Sequence, residues 1–514
     1  MNYDLIIVGT GAGLPLAYAA SEAGWNVAVV DRGLIGGTCL NFGCIPTKML
    51  TTAADYVREA RSAGRINVTI PEAEVDWPGL AARVNERLAG ESDMRQELYD
   101  EPNLDFYAAS ARFSGVRELT LDLEDGPKTI TASHIVLANG AKSRILPYAG
   151  LLPDDWVDAG RFFGDLPETI WDRVAIIGGG VIAAEFAHIL NAFGSQVHIL
   201  QRNVRLLPHH DTELADVASD SLAEAGVDIR TRTTVSRVDH NPDGSLELNL
   251  MQENWPARLT VDKIFFATGF EAWRDFAPER SGIETDLAGW IKVNEFLETS
   301  CDGVYALGDC TGLPQLRHKA NYEAEILMHN FGLTGDPPAS PAAVYPVDNP
   351  RWARYDHMPQ VVYTWPEVAT VGIDPMSAQV REIPVQVGRL SYASVAKGWA
   401  LGFTDEEEAG FARLVTDASG EQLLGFQAVG AHASLLLQTY VLSLNSVPAI
   451  LSEHIRHPEI GSERVQELRR SGLVRELAPA TVRSIDETMV AHPSLSEVAA
   501  WATDELKTPD WQSM

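Results

Sequence analysis

Cysteine is scarce in this chain, with four residues among 514. That excludes a disulfide framework and points to a reducing compartment, expected to be the cytoplasm, where closely spaced cysteines serve chemistry more often than stapling. Positive charge is scarce as well. Forty lysines and arginines stand against 71 acids, a formal net charge of −31 at pH 7. A surface this acidic repels nucleic acid and anionic lipid, so neither is an expected partner. The same charge would suit a halophilic source or a merely acidic proteome. No run of 18 apolar residues occurs, so no membrane-spanning helix is expected. The opening MNYDLIIVGTGAG lacks the basic start and cleavage site of a signal peptide and reads as a first buried strand. What is present, 45% hydrophobic and 22% charged residues, suits a globular enzyme. The length is too great for one core and predicts several domains.

Glycine organises the chain. An apolar run, Tyr3 to Val8, enters the turn Gly9, Gly11, Gly13. A helical stretch follows from Leu16 to Ala23, then a second apolar run ends at Asp31, 22 residues after Gly9. Such turns let a backbone approach a pyrophosphate at a helix N-terminus, and the acid receives ribose hydroxyls. Leu14 stands where the third glycine of G-x-G-x-x-G is usual. The pattern recurs 169 residues later: Arg173 to Ile177 enters Gly178, Gly179 and Gly180, a helix carries Glu185, and Val197 to Leu200 makes the next strand. Similar phrases close the two modules, ending at Gly140 and at Gly269. Two dinucleotides, one per module, are the expectation. A third element, TSCDGVYALGDCTG from Thr299 to Gly312, delivers Gly308 and Asp309 at a strand end. Beside two nucleotide modules, Asp309 reads as the acid that holds the sugar-like chain of a flavin.

Half of the cysteines fall in one phrase, GGTCLNFGCIPTK, as Cys39 and Cys44. In a regular helix, positions i and i+5 lie roughly 8.7 Å apart. A disulfide needs Cα atoms within about 7 Å. The pair can therefore bridge only across a distorted helix, and Gly36, Gly37 and Gly43 supply the freedom. A bridge made that way opens readily, as a redox-active disulfide must. Cys301 and Cys310 read as buried small residues.

The cysteine phrase, the two modules, the YALGD phrase and a late HPSLSE together resemble the flavin-dependent pyridine nucleotide-disulfide oxidoreductases of class I, across essentially the whole chain. That family includes dihydrolipoyl dehydrogenase and the glutathione, mycothione and mercuric reductases. The resemblance implies an α/β fold: two Rossmann-like, three-layer ββα domains and a C-terminal α+β dimerisation domain. The expected boundaries are 1–150 for FAD, 151–280 for NAD(P), 281–345 completing the FAD site, and 346–514 for dimerisation. It further implies that Cys44 contacts the flavin and Cys39 attacks the substrate disulfide. Gly37 and Thr38 would lie at the cofactor, and Lys48 would pair with Glu185 beside the reactive flavin nitrogen. His492, oriented by Glu497, would move the proton and complete the active site of a second copy in a homodimer. His457 is a competing histidine, with its acid six residues away instead of five.

The branch within the family stays open at this stage. The Gly9 turn, Pro46 to Met49, Ile182 to His188 and His318 to Glu323 resemble mycothione reductase. Val181, a small aliphatic residue, and His318 to Ala320 also resemble dihydrolipoyl dehydrogenase. At the second nucleotide, Gln201 replaces the acid that clasps NAD ribose, whereas Arg202 and Arg205 suit a 2′-phosphate, favouring NADPH over NADH. Pro208 stands where a further arginine is usual. The leading expectation is reduction of a small disulfide by NAD(P)H through FAD, and the alternative is oxidation of dihydrolipoamide by NAD+. A metal or quinone reductase and a non-catalytic redox sensor stand further off. The stretch from Leu451 to Pro479 is helical in pattern with no evident purpose.

Overall fold

The computed structural model describes residues 2–71, 73–312, 314–334, 338–341, 347–404, 410–477 and 481–503. The expected strand–glycine–helix sequence appears at both places. In the first, strand β1 (Asn2–Val8) leads to helix α1 (Leu14–Glu22) and strand β2 (Val27–Asp31). Leu5, Ile6 and Ile7 are fully buried, because a parallel sheet with both faces covered takes a continuous apolar run. Next come helices α2 (Gly37–Asn41) and α3 (Cys44–Ser62), then strand β3 (Leu104–Ala108). The parallel order is β3, β2, β1, strand Gly126–Leu137 and strand Val304–Ala306. All five strands end at one edge, which places Gly9, Asp31, Ala138 and Gly308 together there. That edge is where open α/β sheets bind ligands.

The second module repeats the plan. Strand Arg173–Ile177 is flanked in parallel by Gln196–Leu200 and Lys263–Phe266, with Asp228–Arg230 and Trp156–Val157 outermost. An antiparallel trio, Thr233–His240, Leu246–Gln252 and Trp255–Val261, covers one face. Leu246, Leu248, Leu250 and Val261 of that trio share a core with Ala175, Ile177, Leu200 and Phe266 of the parallel sheet. Helix Val181–Ala192 is part of the same module, so the three-layer ββα architecture is as expected.

By contacts, the chain divides into two units. The first holds the chain up to Arg354, Tyr363–Trp365 and Leu451–Leu473. The second holds Tyr355–Val362, Pro366–Ile450 and the described residues from Val474 onward. Both dinucleotide modules lie in the first. The second is an antiparallel sheet ordered Gln360–Val362, Glu367–Gly372, Leu423–Gly430, Phe411–Asp417 and Val385–Ser391. Helix Ala433–Asn445 packs on it through Ala433, Leu437, Val441 and Leu444, giving the expected α+β character.

The sequence expectation put everything from 346 onward in one domain, whereas the contacts group the residues up to Arg354, Tyr363–Trp365 and Leu451–Leu473 with the first unit. Residues Leu451–Leu473 belong with the first unit, and the reason is electrostatic. Arg469 grips the fully buried Glu295 with two hydrogen bonds, at 2.6 and 2.9 Å. The backbone N–H of Arg456 adds a third at 3.2 Å. Ser462 donates to Glu298 from both its N–H and its hydroxyl, at 3.0 and 2.9 Å. Buried carboxylates are tolerable only with such partners. Among the described residues, no helix is long and apolar enough to cross a membrane.

Candidate active site

The cysteine phrase folds as a broken helix. α2 stops at Asn41, α3 starts at Cys44, and Gly43 between them has φ −129° and ψ −116°, far from helical values. Upstream, Gly36 and Gly37 take φ of 94° and 67°, where a side chain would be strained. The Asn41 amide holds the short helix by donating to the carbonyls of Ile35 (2.9 Å) and Gly37 (3.0 Å). The interruption that the spacing demanded is therefore present. Both sulfurs are half-buried thiols within 4.8 Å of each other.

One turn along α3, the Lys48 ammonium lies 2.7 Å from Glu185 Oε2 and 4.3 Å above the Tyr363 ring. The other Glu185 oxygen accepts from the Tyr363 N–H at 3.0 Å. The structure thus brings together the two charges that the sequence reading paired. Glu185 is 6% exposed, and removing one partner of such a pair costs about 3–5 kcal/mol.

At the first glycine turn, a Cβ on Gly9 would stand 2.3 Å from the Ala138 carbonyl oxygen, and one on Gly13 would stand 2.7 Å from Ile7. These glycines are required by the packing of turn on strand. Gly11 is different: a Cβ there would meet only an Arg317 nitrogen, at 3.8 Å. Gly37 packs against Gly11 from the other side, where a Cβ would come within 2.9 Å of its Cα. Thr38, beside it, is exposed. Asp31 Oδ2 accepts from the Thr10 N–H and hydroxyl, both at 2.7 Å. Its Oδ1 accepts from the Gly33 N–H at 2.8 Å. Gly140, closing the module, takes φ 64°.

Asp309 follows Gly308 at the same sheet edge. Burial pushes its carboxyl up from the ordinary value, with Lys319 pulling the other way, and it accepts no hydrogen bond from any described residue. A buried acid with unspent acceptors fits a hydroxyl-bearing chain, so these residues suit the sugar-like portion of a flavin nucleotide. The sequence reading missed its supports. Lys319, 2% exposed, donates to the Gly308 carbonyl (3.0 Å) and Thr311 hydroxyl (2.9 Å) and lies 3.3 Å from Glu323. Glu323 in turn accepts from the Gly308 N–H at 2.6 Å. Their i,i+4 spacing was visible in HKANYE, but such pairs usually face solvent. Cys310 is buried and its thiol is pushed up to about 12 by desolvation, so it is inert, and Cys301 is also buried.

The second turn repeats the packing: a Cβ on Gly178 would stand 2.2 Å from the Ala267 oxygen. Gly180 starts the helix that carries Glu185, and Gly269 takes φ 85°. Gln201 is turned inward. It is 4% exposed, donates to the Arg205 carbonyl at 3.3 Å and fills the space over Gly179. The Arg202 and Arg205 guanidiniums, near the second strand's end, make no ion pair with a described residue.

His492 lies in the second unit, where its Nδ1 is 2.5 Å from Glu497 Oε1 and Glu497 Oε2 accepts from the Ser494 N–H at 3.1 Å. A carboxylate on Nδ1 fixes the orientation of the ring. His457 instead faces Glu459 at 3.3 Å with its side chain 34% exposed, a looser arrangement.

Comparisons with known proteins give the family. Residues 3–324 match the pyridine nucleotide-disulphide oxidoreductase family, and residues 358–450 match its dimerisation domain. A mycothione reductase of Mycobacterium tuberculosis is 31% identical over 86% of this chain and 93% of its own. A dihydrolipoyl dehydrogenase of Thermus scotoductus is 31% identical over 98% of this chain and 97% of its own. In fold alone, the copper(II) complex of the HOCl-induced flavoprotein disulfide reductase RclA from Escherichia coli superposes with a TM-score of 0.71, at 24% identity, covering 99% of this chain and all of that one. With both family regions matched, the chain belongs to the FAD-dependent pyridine nucleotide-disulphide oxidoreductases.

Proposed function

We propose that this enzyme reduces a small thiol disulfide of the mycothione type with NAD(P)H, NADPH being the better donor. FAD would be held by the Gly9 turn, Asp31, Gly140 and Asp309, and the nicotinamide dinucleotide by the Gly178 turn, Gly180, Gly269 and Arg202. When bound, the flavin supplies a relay that converts hydride equivalents into a reduced cysteine pair. The observation that carries the reading is the two thiols within 4.8 Å at a helix break, one turn from the Lys48–Glu185 pair.

The thiol chemistry then follows from the chain's own groups. Cys39 as thiolate attacks one sulfur of the substrate disulfide, forming a mixed disulfide and releasing one thiolate. His492, held by Glu497, gives that thiolate its proton. Cys44 next attacks the Cys39 sulfur, releases the second substrate thiol and closes the Cys39–Cys44 bond. Two thiols are oxidised and one disulfide is reduced, so electrons balance. Lys48, held by Glu185, would keep positive charge beside a bound flavin. The matched dimerisation domain suggests a homodimer, and our reading is that His492 of the second copy would meet the cysteine pair there.

A second reading, dihydrolipoamide oxidised by NAD+, is favoured by Val181 at the nucleotide-facing helix start and by the Thermus relative. Turnover of purified enzyme with NADPH and NADH against mycothiol and glutathione disulfides, and with dihydrolipoamide plus NAD+, separates the two. Cys39→Ser should abolish disulfide turnover while FAD stays bound. Retained turnover would end the proposal.

A further inference from the structure

We propose that Arg317 binds the diphosphate of the first dinucleotide site, its guanidinium reaching over Gly11 to the pyrophosphate of FAD. The inference rests on the reading of the Gly9 module as the flavin nucleotide site. Four observations point to an anion at this place. First, the open side of Gly11 is bounded by a single side chain, because a Cβ there would meet only the Arg317 Nη1. Second, Arg317 opens the 14-residue helix Arg317–Asn330, whose N-cap, Leu316, gives no side-chain hydrogen bond. The positive end of a helix dipole disfavours a cation, so an arginine there is a cost until an anion arrives.

Third, this half-buried guanidinium makes no hydrogen bond or ion pair with a described residue. The charged groups around it are accounted for. Lys319 and Glu323 satisfy each other and Gly308, and Asp309 feels the arginine's charge without accepting a hydrogen bond from it. Fourth, the Gln315 amide nitrogen, two residues earlier, is buried without a hydrogen-bond partner among the described residues, so a second donor waits in the same loop. The glycine turn has one donor fewer than its length suggests. Its Thr10 N–H is already committed to Asp31, and the chain as a whole carries −31. A diphosphate accepts charge-assisted, bidentate hydrogen bonds from a guanidinium better than from any other side chain.

The test uses flavin-free protein prepared from the full chain, titrated with FAD, with ADP and with adenosine. Arg317→Ala should weaken FAD and ADP by about 10- to 100-fold, and adenosine by less than about twofold, since only the first two carry the diphosphate. Arg317→Lys should recover part of the loss. The melting midpoint of flavin-free Arg317→Ala should be equal to or above that of the parent, because a cation has left the helix start. FAD and ADP affinities within about twofold of the parent would overturn the proposal, as would equal losses for all three ligands with a lowered midpoint. Gly11→Val, which fills the cradle, separates this inference from the reading beneath it. If it strips FAD while Arg317→Ala does not, only the arginine assignment fails. If neither change affects FAD, the site itself is misplaced.

Discussion

The two dinucleotide modules share one backbone solution and differ where their second strands end. In both, the first glycine is pressed against the carbonyl of the closing loop, at 2.3 Å for Gly9 and 2.2 Å for Gly178 if a Cβ were added. At the strand end the first module presents Asp31, tied to its own turn, whereas the second turns Gln201 inward and leaves Arg202 and Arg205 without an ion pair among the described residues. The fold thus fixes where a nucleotide lies, and a few side chains at the rim fix which nucleotide it is.

The sharpest way to break that comparison is to add a methyl at each first glycine. Gly9→Ala and Gly178→Ala each force a β-carbon onto a carbonyl at positive φ, an expected cost of about 2–5 kcal/mol. The first variant should purify without flavin absorbance. The second should keep its yellow colour yet be reduced slowly by NAD(P)H in stopped flow. Identical defects would show that the modules do not divide the cofactors.

Acid should strike the second module first. Burial, helped by the neighbouring His209, pushes the His210 imidazole down to about 4. The unfolded chain takes that proton below about 6.5, so stability is complete above that pH and falls as pH drops towards 4, by up to about 3 kcal/mol. Denaturant unfolding of flavin-free protein between pH 7 and 4.5 measures this, and His210→Gln should flatten the slope. Asp309 acts with the opposite sign. Its raised carboxyl binds a proton that the unfolded chain has lost above about 4, so its contribution fades as pH rises.

The smallest effect concerns nucleotide choice. Arg202→Ala or Arg205→Ala should each raise the KM for NADPH about tenfold, roughly 1.4 kcal/mol, and leave that for NADH within about twofold. Equal changes for both would remove the arginines from 2′-phosphate recognition.

Most of what the sequence disclosed was local in its physics. A glycine turn between a strand and a helix is written in a dozen consecutive residues, and so is the broken helix between Cys39 and Cys44. The Lys48–Glu185 contact was legible only because the family resemblance supplied the distance between them. What stayed hidden depended on depth. Lys319 and Glu323 have the spacing of a solvated surface pair yet are nearly inaccessible. Gln201 marked a missing acid, but nothing in its neighbourhood told that it folds inward over Gly179. Arg317 left one signal, a cation at a helix start, too weak to separate from any surface arginine. The grip of Arg469 on Glu295 spans 174 positions, beyond the reach of any periodicity.

That grip has a consequence for how the protein is made. The first unit is closed by Leu451–Leu473, so its last buried guanidinium leaves the ribosome after the whole sheet of the second unit. Domains ordinarily fold one after another during synthesis. Here the nucleotide-binding body must wait, with Glu295 still lacking its counter-charge, until the sheet of the second unit has been translated. A nascent chain stalled before Arg469 would therefore be protease-sensitive around Glu295, however complete its glycine modules.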